Sequence, residues 1–156
     1  MRCALTLGRC PVIAEAALAM VVAAGPDPID IGPKTHDSPV SLYQGRHYVD
    51  RHNAKRICVR QRESKHDYRA VSATGRYRGA YQFSPALARG AAWMIQRELV
   101  NTGTPKREAK HIGKRLRAHP MNQWAPFWQD FAFWIVWDLG EGRSHWRATV
   151  PGTSCW

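Results

Sequence analysis

Residues 124–140, WAPFWQDFAFWIVWDLG, form a dense aromatic stretch near the end of a chain of 156 residues. Their large side chains recur at spacings of three and four residues, as on one face of a helix: Trp124, Trp128, Phe131, and Trp134 or Ile135. Pro126 marks the helix start, because proline is favoured at the first helical position. We predict a core helix from about Ala125 to Gly140; the alternative is that surplus aromatic rings line a sugar-binding groove.

Three further helices are predicted before this one. Tyr48–Ser64 lacks glycine and proline and is predicted to be helical. Its expected buried residues are Val49, Ala54, Ile57 and Cys58. Ser84-Pro85 is a start signal for a helix that reaches about Val100. Thr104-Pro105 repeats the signal, for a helix with a basic outer face that ends near His119.

Residues 68–83, YRAVSATGRYRGAYQF, separate the first two predicted helices and combine aromatic residues with two glycines. This pattern favours a turn or a short hairpin over a helix. The predicted fold class is therefore mainly α (α+β), a single domain with one short β-like segment.

Composition and charge exclude some classes of protein. Apolar residues make up 44% of the chain, which is enough to build a core. The charge-free stretch Ala16–Pro26 is shorter than the ~20 apolar residues that a membrane-spanning helix needs, so we predict no membrane span. The formal charge of +11 indicates an anionic partner: nucleic acid, acidic lipid or a charged wall polymer.

The N-terminal quarter of the chain differs from the rest. Arg2 and Arg9 precede a short apolar run ending at Ala24, an arrangement typical of a secretory signal peptide. We predict a signal peptide at 1–24, a Pro/Asp-rich linker at 25–41 and one domain at 42–156. A disordered leader, or a translation start at Met20, is the alternative.

Two of the four cysteines, Cys58 and Cys155, would remain after cleavage of this leader. They either close a loop of ~100 residues as a disulfide or are two unrelated thiols. No spacing of cysteine and histidine residues suggests a zinc site, and we predict no metal.

Glu63 is the strongest candidate for chemistry. It would lie at the C-terminal end of the first predicted helix, beside the apolar and aromatic Gly79–Phe83 segment. The helix dipole and apolar surroundings both favour the protonated form of a carboxyl group, as a general acid requires. Arg60, Arg62 and Lys65 oppose this, and the alternative is a solvated ion pair.

The pattern Glu63-Ser64-x-x-Asp67-Tyr68, followed by Tyr77-x-Gly79-Ala80-Tyr81-Gln82-Phe83, resembles the catalytic segment of resuscitation-promoting factors. These secreted actinobacterial proteins belong to the transglycosylase-like branch of the lysozyme superfamily. Lys65-His66 stands where the family has a glycine pair, so we expect a different turn after the helix.

The resemblance implies a lysozyme-like domain that cleaves the glycosidic bond between N-acetylmuramic acid and N-acetylglucosamine in peptidoglycan, without a cofactor. It makes Glu63 the catalytic acid, and the implied substrate-binding residues are Tyr68, Tyr77, Gly79, Tyr81 and Gln82. A cysteine in the first helix joined to a C-terminal one is familiar in the family, which implies a Cys58–Cys155 disulfide. We expect a secreted or wall-bound monomer acting on glycan strands, with another wall hydrolase as a candidate partner.

A hydrolase would need a second carboxylate across the cleaved bond. Asp67 is expected on the same side as Glu63, and the sequence does not position Asp130, Asp138 or Glu141. We therefore favour the single-acid scheme of lytic transglycosylases over a muramidase. Two other functions stay open. One is a non-catalytic wall-binding module. The other is a nucleic-acid-binding protein, which the positive net charge favours although the sequence contains no nucleic-acid-binding motif.

We expect the protein to be exported and to lose its leader near Ala24, because a basic start and an apolar run precede that position. N-terminal sequencing of protein recovered from the culture medium checks this. An intact Met1 on a cytosolic product would contradict it.

Overall fold

The structure is a computed structural model that describes residues 27–29, 39–148 and 152–156, so the predicted leader lies outside the described residues. Within them the chain forms four α-helices: α1 (Asn53–Ser64), α2 (Pro85–Asn101), α3 (Lys106–Ala118) and α4 (Pro126–Trp137). Short 3-10 segments cover Asp50–His52, Met121–Gln123 and Asp138–Trp146. The prediction of a mainly helical single domain is confirmed.

Helix α4 is the centre of the core. Every residue from Trp128 to Trp137 is buried, and its rings stack on aromatic neighbours such as Tyr43, 4.0 Å from Phe131 between ring centroids. The helix ends three residues earlier than predicted. Asp138 turns the backbone into the left-handed region, which breaks the helical repeat.

Helices α2 and α3 form an antiparallel pair. The Ser84 hydroxyl caps α2 by accepting a hydrogen bond of 3.2 Å from the Leu87 N–H, as predicted. Thr104 does not cap α3, which starts at Lys106 without a side-chain cap. The two helices approach closely at Gly113, where a Cβ atom would overlap the Gln96 side chain.

Helix α1 buries different residues from those predicted. Arg56, Val59 and Arg60 are its buried side chains, whereas Ala54 is exposed and the other expected residues are at most half-buried. Apolar periodicity predicts that arginine lies at the surface, and for Arg56 and Arg60 that prediction is wrong. Burial of these two cations is tolerated because each meets several hydrogen-bond acceptors inside the domain.

The buried cations belong to a polar cluster around Asp130. One Asp130 carboxylate oxygen accepts hydrogen bonds from the hydroxyls of Tyr68 (2.7 Å) and Tyr81 (2.6 Å). Arg60 donates to the Tyr68 hydroxyl at 2.7 Å, and Arg56 donates to the Tyr81 hydroxyl at 3.0 Å. The other carboxylate oxygen pairs with Arg56 and accepts from the N–H of residue 42. The cluster therefore joins α1, the 68–83 segment and α4.

The 68–83 segment is a compact hairpin-like turn. It contains two isolated antiparallel bridges, which pair Arg78 with Val71 and with Phe83, and the described residues form no longer strand. This agrees with the predicted short β-like segment. The lysozyme-like detail of the fold stays a prediction.

The predicted linker contacts the domain near both of its ends. Pro28 is buried and its carbonyl accepts from the Ala125 N–H at 3.1 Å. Ser41 is also buried, and its hydroxyl oxygen accepts from the Trp134 indole at 2.9 Å. The described parts of 25–41 therefore contact the domain at Pro28 and Ser41, whereas Asp27, Pro39 and Val40 are exposed.

A disulfide joins Cys58 in α1 to Cys155, with 5.7 Å between the Cα atoms. The predicted pairing is confirmed. None of the helices in the described residues has the length and apolar character needed to cross a membrane.

We expect Asp130→Asn to lower the free energy of unfolding by about 3–5 kcal/mol, because the amide leaves the buried Arg56 without its opposite charge. Urea denaturation followed by tryptophan fluorescence measures the change. The matched control is Asp138→Asn, an exposed position where the change should stay within ~0.5 kcal/mol. Equal stability of the two variants would contradict the role of the cluster.

Candidate functional site

A cleft of about 530 Å³ opens beside the C-terminal end of α1. Three parts of the chain form its walls: the end of α1, the 68–83 segment and the C-terminal region. Its lining residues are Arg62, Glu63, Tyr77, Gln82, His145, Trp146, Arg147, Ala148 and Thr153. The structure thus brings both halves of the predicted motif to one concave surface, the usual shape of a ligand site.

Glu63 lies in the last turn of α1 with 26% of its side chain exposed. One carboxylate oxygen, Oε1, accepts two hydrogen bonds from the guanidinium of the adjacent Arg62, at 2.7 and 3.1 Å. Among the described residues, no donor bonds the second oxygen. A ligand in the cleft can therefore reach one oxygen of this carboxyl group without displacing Arg62.

Hydrogen bonds hold the second half of the motif against α1. The Ser64 hydroxyl lies 2.9 Å from the carbonyl oxygen of Ala80, and the Trp146 indole donates to the Tyr81 carbonyl at 2.9 Å. The buried amide of Gln129 accepts from the Ala80 N–H and donates to the Tyr68 carbonyl. The distance between Glu63 and the opposite wall is thus set by buried contacts, which favours a preformed site.

Left-handed backbone occurs at Gln82 in the cleft lining and at the two residues that follow α1. Lys65 (φ 53°), His66 (φ 67°) and Gln82 (φ 50°) are three of the five non-glycine residues with positive φ in the described chain. Such conformations cost about 1–3 kcal/mol each and cluster at functional sites. Lys65 and His66 stand where the family has a glycine pair, and both have the positive φ for which glycine is the usual choice. The turn after α1, which we expected to differ, therefore has a backbone conformation that is typical of glycine.

Of the residues predicted to bind substrate, Tyr77 and Gln82 line the cleft, and Gly79 lies outside its lining. Tyr77 is 41% exposed and its ring forms part of one wall. The Gln82 side chain also lines the cleft and donates to the Gly79 carbonyl at 2.9 Å. Gly79 itself is buried with φ +79°, and a Cβ atom there would lie 2.7 Å from Met121. Its role is to let the chain turn tightly, not to contact a ligand.

Tyr68 and Tyr81, which were predicted to bind substrate, lie in the core instead. Each is 1% exposed, and each hydroxyl is bonded to Asp130. Burial, and next the charge of Asp130, raise the pKa of both hydroxyls above the ordinary value. Both therefore remain proton donors within the polar cluster, and we reassign them to support of the 68–83 segment.

The C-terminal region completes the cleft through Arg62. This guanidinium donates to the carbonyl oxygens of Trp146 (2.6 Å) and Thr153 (3.1 Å) while it holds Glu63. The disulfide from Cys58 anchors the same region one turn further back on α1. Arg62 thus connects the candidate acid to the opposite wall.

Glu63 is the one carboxylate that lines the cleft in the described part of the chain. Asp130 is fully buried in the polar cluster, and Asp67, Asp138 and Glu141 lie outside the cleft lining. The described residues also contain no cluster of three or more histidine, cysteine or acidic side chains that could hold a metal ion. The chemistry available here is proton transfer by a single carboxyl group in basic, aromatic surroundings.

Sequence reasoning missed several residues that build the site. The sequence suggested for Arg62 only a charge that opposes protonation of Glu63. It gave no indication that Trp146, Arg147 and Thr153 line the cleft. Gln129 and Asp130 could have been predicted from the sequence, because two adjacent polar residues inside an otherwise apolar helix need buried hydrogen-bond partners.

Comparison of the sequence with protein-family models, with curated proteins and with solved structures found no match in any of the three. The resemblance to resuscitation-promoting factors therefore stays a prediction that rests on the motif residues.

We expect the double variant Cys58→Ser/Cys155→Ser to lose about 2–5 kcal/mol of unfolding free energy, because the open chain gains entropy when unfolded. Urea denaturation without reductant measures the loss. Reductant should destabilise the wild type by a similar amount and leave the double variant unchanged. A loss below ~1 kcal/mol would contradict a structural role for the disulfide.

Proposed function

We propose that this protein is a secreted peptidoglycan-cleaving enzyme of the lytic transglycosylase type, with Glu63 as its general acid. The observation that carries the proposal is a partly exposed glutamate that lines the cleft, has one oxygen bonded by no donor, and is the one carboxylate among the described lining residues. The substrate class, peptidoglycan, is inferred from the order and spacing of the motif from Glu63 to Phe83, which resembles the catalytic segment of resuscitation-promoting factors.

The proposed reaction begins with the Glu63 proton. Its carboxyl group protonates the glycosidic oxygen between N-acetylmuramic acid and N-acetylglucosamine, and the bond from C1 to that oxygen breaks. The substrate's acetamido group supports the oxocarbenium-like centre, and the 6-hydroxyl closes on C1 while its proton returns to Glu63. The product is a 1,6-anhydro sugar, and no water-activating base is needed.

The other lining residues suit a sugar polymer that carries carboxylates. The exposed Tyr77 ring offers a flat face for a sugar, and the Gln82 amide offers hydrogen bonds to hydroxyl or acetamido groups. Arg147 and His145 add basic groups to a cleft with a single acid, which complements the carboxylates of peptide stems. The disulfide and the absence of a membrane-spanning helix in the described residues are compatible with secretion.

The Arg62–Glu63 pair favours a second candidate function, a non-catalytic wall-binding module. In that case the ion pair of Arg62 and Glu63 stays in place, and the cleft holds glycan without cleaving it. The enzyme is preferred because Arg62 occupies one oxygen only, so the other is open to a glycosidic oxygen.

We expect Glu63→Gln to reduce cleavage of purified peptidoglycan by ~10²-fold or more, because the amide keeps the shape of the side chain but cannot donate this proton. Zymography and release of soluble muropeptides measure the loss. The wild type should release anhydro-ended fragments, which mass spectrometry distinguishes because they are one water lighter than hydrolysed ones.

Asp67→Asn is the matched control, since it neutralises a nearby carboxylate outside the cleft. It should retain activity within about threefold, because Asp67 does not line the cleft. Reducing ends throughout would indicate a hydrolase. A wild type that binds peptidoglycan without any release would favour the binding module.

A further inference from the structure

The pair of helices α2 and α3 carries a strongly basic surface. Residues 85–118 contain eight arginine and lysine residues and two glutamates. Arg89, Trp93 and Arg97 recur every four residues along α2, and all three are exposed. Lys106, Lys110 and Lys114 recur in the same way along α3 and are also exposed. Residues at this spacing share one side of a helix.

A contact between Arg117 and Trp93 shows that the two rows face the same way. The Arg117 guanidinium of α3 lies over the Trp93 ring of α2, 3.5 Å from its centroid. Because Arg117 follows Lys106, Lys110 and Lys114 at helical spacing, this contact joins the two rows across the seam between the helices. We call the surface formed by both rows and Arg117 the basic face.

Neither glutamate neutralises the basic face. Glu98 is 5% exposed and pairs with Arg46 (3.7 Å) and His47 (3.5 Å) on the other side of α2. Glu108 is two residues from both Lys106 and Lys110, so it points to the opposite side of α3. In the described part of the chain, Arg115 of α3 pairs with Asp27 at 2.8 Å, but Arg115 is not part of the basic face. Neither helix therefore contributes an acidic side chain to the basic face.

A recess of about 170 Å³ lies at one end of the face. Its charged or ionisable lining residues are Arg78, Arg89, Arg117 and His119, and none of the residues lining it is acidic. A recess lined by three arginines and no acidic residue suits a phosphate group, which arginine binds through paired N–H donors. The recess shares no lining residue with the cleft that contains Glu63.

We propose that the basic face is a second binding site, which holds a phosphodiester polymer of the cell wall and keeps the Glu63 cleft close to its substrate. Regularly spaced phosphates meet the two rows of cations, and one phosphate enters the recess. The choice of a wall polymer rests on the proposed function and on the disulfide, which is typical of proteins outside the cytosol.

Two features disfavour nucleic acid as the occupant. Proteins that hold single strands stack successive bases on several aromatic rings, whereas this face has one exposed ring, and Arg117 covers one of its sides. Proteins that read duplex DNA insert a projecting helix into the major groove. Here α2 and α3 lie side by side, so neither projects alone.

The test is binding of the full-length, disulfide-intact protein to purified poly(glycerol phosphate), measured by calorimetry over a series of salt concentrations. We expect Arg89→Gln/Lys110→Gln/Lys114→Gln to weaken binding at least ~10-fold and to reduce the dependence of log Kd on log salt concentration. The matched control, Arg51→Gln/Lys55→Gln/Arg143→Gln, removes the same charge elsewhere and should change Kd less than about threefold.

Two further variants keep the result interpretable. Arg89→Lys/Lys110→Arg/Lys114→Arg preserves the charge, so it should keep the wild-type dependence of log Kd on log salt concentration and lose affinity only through the paired donors of Arg89, which separates loss of charge from loss of fold. Glu63→Gln should bind the polymer as tightly as the wild type. Binding that survives in a protein without cleavage activity would remove the proposed enzyme function and leave the basic face in place.

Three outcomes would overturn the proposal. The first is an equal loss of affinity in the face variant and its matched control, which would mean that net charge alone drives binding. The second is equal binding of neutral dextran. The third is tighter binding of a single-stranded DNA oligomer with the same number of phosphates, which would assign the face to nucleic acid.

Discussion

The buried carboxylate of Asp130 organises this protein. It accepts hydrogen bonds from two tyrosine hydroxyls, and those hydroxyls in turn accept from two buried arginines of α1. A charge inside a protein is stable only when most of its hydrogen-bonding capacity is used, so each partner has a fixed place. Helix α1 and the 68–83 segment are therefore held against α4 by directional bonds as well as by apolar contact.

This arrangement explains how a small, largely irregular segment can form one wall of a cleft. The 68–83 segment has two isolated bridges and left-handed residues, and it would be weakly stable alone. The hydroxyls of Tyr68 and Tyr81 hold it to the buried Asp130. Gln129 and Trp146 hold its backbone through hydrogen bonds. Tyr68 and Tyr81, which the motif suggests as sugar ligands, thus lie in the core, and Tyr77 and Gln82 of the same segment line the cleft.

The cleft and the basic face divide the charge of the protein between two surfaces. In the cleft, cations surround a single carboxyl group, and Arg62 also fastens the C-terminal region that closes it. On the α2–α3 pair, cations stand in rows with no acid between them. The proposed chemistry and the proposed adhesion can therefore change independently, because no residue belongs to both surfaces.

The sequence by itself determined the helical class, the aromatic core helix, the capped start of α2 at Ser84 and the position of Glu63 at a helix end. These follow from local rules: hydrophobic periodicity, side-chain capping and helix-breaking residues act within a few positions of one another. Only the tertiary structure decided which polar residues are inside. Arg56, Arg60 and Asp130 are buried because partners far apart in sequence meet and satisfy one another, and a local pattern of hydrophobicity contains no information about such partners.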